Sequence, residues 1–90
     1  MTVALNGTYE MSPQVALRPE PFGALAYHYG NRRLVFVRRP ELVALLQGLR
    51  DHVSLAAALV AVGVAEPRWP AFVNALSELE KSEIICARES

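Results

Sequence analysis

Residues 14–37 read QVALRPEPFGALAYHYGNRRLVFV, and this run restricts the fold more than any other stretch of the chain. Its apolar residues recur with a period of two, and turn-forming residues cut it into three short strands. The first strand spans Gln14–Arg18, apolar at Val15 and Leu17. Arg18-Pro19-Glu20-Pro21 ends it, because two prolines remove backbone donors and fix φ. The second strand, Phe22–Tyr29, places Leu25, Tyr27 and Tyr29 on one face and Ala24, Ala26 and His28 on the other. Gly30-Asn31 is a two-residue hairpin signal. The third strand, Arg33–Val37, has Leu34 and Phe36 on one face and Val35 and Val37 on the other. Both faces are apolar, so one packs on helices and the other needs a different cover. The third strand comes last in the meander and therefore lies at the sheet edge, where unpaired N–H and C=O groups accept another strand.

Helices follow at once. Pro40 suits a first helical position, and Glu41 is favourable at the positive end of the helix. Leu42, Leu45, Leu46 and Leu49 form a buried stripe that ends at Asp51-His52. Ser54 reads as the N-cap of a second helix, which Gly63 stops after Val62; Leu55, Leu59 and Val62 face inward. A third helix is expected from near Pro70 to Ser82, with Phe72, Val73, Leu76 and Leu79 as its apolar residues. Ile84-Ile85-Cys86 reads as a short closing strand. Residues 1–11 show no period and are expected to form a loosely ordered arm; they do not resemble a signal peptide. The expectation is one α+β domain over residues 1–90, a three-stranded antiparallel meander followed by three helices. No apolar run approaches the ~18 residues of a membrane span.

Residues with catalytic chemistry are sparse. His28 and His52 are far apart and lie near no Cys or Asp cluster. His28 reads as a surface or half-buried residue, and His52 as a cap at the first helix end. No phosphate loop, HExxH or CxxC occurs. A single cysteine, Cys86, excludes an internal disulfide and reads as an apolar filler in a reducing, cytoplasmic setting. Glu78, Glu80 and Glu83 read as solvated charge, and Trp69 as a core anchor. Net charge is zero, but residues 1–50 hold six Arg against three Glu, and residues 51–90 hold three basic against six acidic groups. Arg32, Arg33, Arg38 and Arg39 cluster around the hairpin and suit acidic residues of a partner. Helices two and three resemble a helix-turn-helix, which raises a winged-helix DNA-binding regulator as the alternative. The third helix is acidic, however, and a phosphate-lined groove would repel it. These features describe a peptide or protein interaction module, without cofactor or metal.

The segment VALRPEPFGALAYHYGNRRLVFVRRPELVAL, and within it Leu17–Leu34, resembles the small peptide chaperones of mycofactocin biosynthesis. That resemblance implies the RiPP recognition element, a winged helix-turn-helix shared with the chaperone of pyrroloquinoline-quinone biosynthesis. It implies a noncatalytic protein that binds the leader of a ribosomally made precursor peptide. The leader adds to the third strand and lies against the third helix. A radical SAM maturase then modifies the precursor at a C-terminal Val-Tyr. On this basis Arg33, Leu34, Val35, Phe36, Val37 and Arg38 are the expected peptide-binding strand, with Val73, Leu76 and Ser77 on the third helix. The flank carrying Ala75 is the alternative wall. Arg32, Arg33 and Arg39 are expected to steer acidic leader residues, without contact to nucleic acid or membrane. The open edge also offers a route to a homodimer through the third strand.

Overall fold

A computed structural model describes residues 3–88. The meander is present as β2 (Val15–Glu20), β3 (Gly23–His28) and β4 (Leu34–Val37), preceded by a short strand, β1 (Tyr9–Met11). Three helices follow, α1 (Pro40–Gly48), α2 (Leu55–Val62) and α3 (Trp69–Lys81), and β5 (Ile85–Ala87) closes the chain. The strands form two antiparallel sheets, β2-β3-β4 and β1-β5. The class is α+β.

The inner face of the larger sheet carries Ala24, Ala26 and Val37, all buried with Leu45, Leu46, Leu49, Leu55, Leu59, Phe72 and Leu76 of the helical layer. Small alanines at the centre of β3 let that layer approach the sheet closely. Helix ends follow the local chemistry. Ser54 Oγ accepts from the Ala57 N–H at 3.1 Å, and Gly63 ends α2 with φ of 89°, a left-handed geometry that costs glycine little.

Three expectations are corrected. Pro19 does not end the first strand: β2 runs on to Glu20, with Pro19 opposite Ala24. The tight two-residue turn is Pro21-Phe22, closed by the Glu20–Gly23 pair. Gly23 has φ of 142°, and a Cβ there would strike the Val37 carbonyl, so glycine is required. Gly30-Asn31 instead lies within a longer connection, 29–33, where Arg32 takes the positive φ of 62°. His28 Nδ1 accepts from the Gly30 and Asn31 N–H groups at 3.0 and 3.1 Å, and Asn31 Oδ1 accepts from the Arg33 N–H at 2.9 Å. Side-chain acceptors thus satisfy a loop that a two-residue turn would not contain.

The third correction concerns the arm. Over its described part, residues 3–11 are packed: Val3 and Tyr9 are buried, and β1 pairs with β5 from Tyr9↔Ala87 to Met11↔Ile85. The carbonyls of Gly7 and Leu5 accept from the Leu55 and Ala56 N–H groups, completing the cap of α2 begun by Ser54. Such contacts join distant residues and leave no periodicity in the segment itself.

Candidate functional site

An antiparallel strand directs each residue's N–H and C=O to one side, alternating along the chain. The His28 N–H donates to the Arg33 carbonyl at 3.0 Å, and the Tyr29 N–H to the Gln14 carbonyl at 2.8 Å. With the register Ala26↔Val35 and Ala24↔Val37, Arg33, Val35 and Val37 therefore turn their backbone groups toward β3. Leu34 and Phe36 turn theirs to the open side of β4. On β2 the outward residues are Val15, Leu17 and Pro19 by the same alternation. The Val15 N–H already donates to the Ser12 carbonyl at 3.0 Å, and Pro19 has no N–H. The two edges thus differ. β2 is blunted, whereas β4 offers the donors and acceptors of Leu34 and Phe36, which take part in no turn or side-chain hydrogen bond among the described residues.

The side chains of β4 divide between the faces of the sheet. Val37 is buried and Val35 half-buried beneath it, while Leu34 and Phe36 are 57% and 60% exposed on the outer face. Arg32, Arg33 and Arg38 are exposed, without an ion pair among the described residues. Arg39 leans over Phe72, its guanidinium 5.9 Å from the ring, and Arg68 approaches the same ring at 5.5 Å. Arg68 also holds both carboxylate oxygens of Glu41 at 2.6 and 3.2 Å. That bond keeps the Glu41 carboxyl below its usual range and fastens the start of α1 to the entry of α3.

Two contacts align β4 with α3. Asn31, just before β4, donates through Nδ2 to Glu83 Oε2 at 2.9 Å and to the Ser82 carbonyl at 3.3 Å, past the end of α3. Arg39, just after β4, meets Phe72 in the first turn of α3. Strand and helix therefore run alongside each other in opposite directions. With Phe72, Leu76 and Leu79 turned to the core, Val73 and Ser77 fall on one flank of α3 and Ala75 on the other, at about 100° per residue. The Val73–Ser77 flank is engaged by the chain itself: the Val3 N–H donates to Ser77 Oγ at 3.1 Å, and Ser77 Oγ donates to the Val73 carbonyl at 2.7 Å. Leu76 is 0% exposed and offers no surface to a ligand.

A polar cleft of about 400 Å³ lies between the start of β2 and the turn after α3, lined by Gln14, His28, Glu80, Glu83 and Cys86 among others. It brings a thiol and an imidazole to one hollow, but not as a nucleophile and base. Burial, reinforced by Glu10 and Glu80, pushes the Cys86 thiol up, away from the thiolate. His28, only 7% exposed, already uses Nδ1 to hold the loop, which corrects its reading as a surface or half-buried residue. Trp69 donates through Nε1 to the Val64 carbonyl at 2.8 Å and packs on the core, as an anchor does. Asn31 is the residue that sequence reading missed at this site. Its turn propensity was visible, its bridge to Glu83 was not.

Residues 8–86 match the family model described as Peptide chaperone MftB family. The chain is 40% identical over 78 residues to "Peptide chaperone MftB" of Mycolicibacterium smegmatis, covering 87% of this chain and 76% of that protein. It is 38% identical over 82 residues to proteins of the same name from Mycobacterium ulcerans and Mycobacterium tuberculosis, covering 91% of this chain and 75% of each relative. No solved structure matches the chain at a significant level.

Proposed function

The chain belongs to the peptide chaperone MftB family, and from that premise we propose that it binds the leader of the mycofactocin precursor peptide by strand addition to β4 and presents it to a radical SAM maturase. The family is named for peptide chaperoning, which involves no covalent chemistry, and the chain is not an enzyme. The observation that carries the proposal is the difference between the sheet edges: β2 is blunted, and β4 is open at Leu34 and Phe36. Main-chain bonds supply affinity in this mode, and pockets for alternate side chains supply specificity. The proposed groove lies between β4, from Arg33 to Arg38, and the Ala75 flank of α3, with the Val73–Ser77 flank left to the N-terminal segment. Leader residues opposite Val35 and Val37 face this groove; those opposite Leu34 and Phe36 face outward.

The 119° bend between α2 and the helical segment containing α3 supports a helix-turn-helix within a RiPP recognition element. α3 carries Glu78 and Glu80 against Lys81, which favours a peptide over nucleic acid. Among the described residues no single helix is long and apolar enough to cross a membrane. A homodimer through β4 would occupy the same edge, so peptide and self-association would compete.

Titration of the labelled protein with the precursor peptide, followed by NMR, tests the reading. The largest amide shifts are expected at Leu34 and Phe36, and their hydrogen exchange should slow. Saturable binding that leaves both amides unmoved would remove β4 from the site.

A further inference from the structure

We propose that the outer face of the β2-β3-β4 sheet docks a folded protein whose surface carries acidic residues around an apolar centre. Under the carrier reading above, on which this rests, that protein is the enzyme that modifies the bound peptide.

Antiparallel sheets usually turn a polar face to water. Here the register sets Leu25 opposite Phe36 and Tyr27 opposite Leu34 on the solvent side. Phe22 and Tyr29 extend the patch at its two ends, and Phe36, Leu34 and Tyr29 are 60%, 57% and 61% exposed. The rings pair edge-on: Phe22 meets Phe36 at 5.5 Å between centroids, and Tyr27 meets Tyr29 at 5.2 Å. Between Arg18, Tyr27, Tyr29 and Leu34 the surface sinks into a hollow of about 280 Å³. Aromatic groups around a hollow form the kind of centre on which interfaces concentrate their binding energy.

The charges nearby select the occupant. Arg18, Arg32, Arg33 and Arg38 are exposed on or beside this sheet, and the acidic group on its outer face, Glu20, is engaged by Arg18 at 2.8 Å. A second copy of the chain is disfavoured, because a two-fold contact would set this basic rim against itself. The leader peptide covers too little: a strand added to β4 lies about 4.8 Å beyond it, whereas Leu25 and Tyr27 lie one strand further in. Its outward side chains would sit next to Leu34 and Phe36 and continue the same surface. A protein docked there would meet carrier and cargo side by side.

The test uses Tyr29→Ser and, separately, Arg18→Glu, both at exposed positions outside β4. Each variant, confirmed as folded by circular dichroism, is titrated with the precursor peptide and with the purified radical SAM maturase. Maturase affinity should fall about tenfold or more in both variants, while peptide affinity stays within about twofold of wild type. Unchanged maturase affinity in both variants overturns the proposal. So does a wild-type protein that binds peptide but no maturase, an outcome that leaves the peptide site standing. A wild-type dimer that dissociates in the variants would assign the face to a second copy and overturn the proposal too. Failure of the wild type to bind the peptide would refute the carrier reading itself.

Discussion

Leu76 lies fully buried on the inward stripe of α3, between Phe72 and Leu79. Truncation there leaves a cavity that the surrounding core closes only in part. Leu76→Ala should therefore cost about 2–5 kcal/mol in urea unfolding, and the folded fraction should bind peptide as before. Lost affinity at unchanged stability would instead put Leu76 in the groove. Cys86 yields a second expectation at this scale. Its thiol is held protonated by burial and by Glu10 and Glu80. At neutral pH iodoacetamide should modify it more slowly than free cysteine, and the rate should rise only above the ordinary thiol range. Faster alkylation would show an activated thiolate and reopen the question of chemistry beside His28.

At the scale of the element, the alternation of backbone groups along β4 separates two neighbouring residues. Val35 turns its N–H to β3, and Phe36 turns its N–H outward. Val35→Pro should break the β3–β4 ladder and cost about 1–3 kcal/mol of stability. Phe36→Pro should leave that ladder intact and weaken peptide binding by at least about tenfold. Phe36→Ala separates loss of the ring from loss of the donor. Thermal melts and calorimetry on the three variants decide the matter. Equal peptide affinity in wild type and Phe36→Pro would exclude strand addition at this edge.

Over the whole molecule, charge is divided between the two halves of the chain, and the basic half contains the edge proposed for the peptide. Arg39 is exposed too but lies over Phe72, so Arg32, Arg33 and Arg38 are the exposed cations near β4 that hold no such contact. Rim charges act mainly on encounter. Changing these three to Gln should slow peptide association about tenfold at low salt and flatten its salt dependence, with little effect on dissociation. Stopped-flow fluorescence over a salt series measures both rates. A change confined to dissociation would mean that the arginines pair directly with buried leader groups.

The local rules written in this chain determined most of its elements without help from distant residues. Pro40 opened α1, Ser54 and Gly63 bounded α2, and alternation in β3 separated Ala24, Ala26 and His28 from Leu25, Tyr27 and Tyr29. The edge position of β4 was legible for the same reason, since strands joined by short turns lie in chain order. Only the tertiary structure decided that the Val73–Ser77 flank of α3 is engaged, because Val3 reaches Ser77 across the length of the chain. It also decided that residues 3–11 pack, and that Asn31 bridges to Glu83. Periodicity reports what a residue does relative to its neighbours in sequence. A hydrogen bond or a burial between distant segments carries no period, so it becomes visible only once the chain has folded.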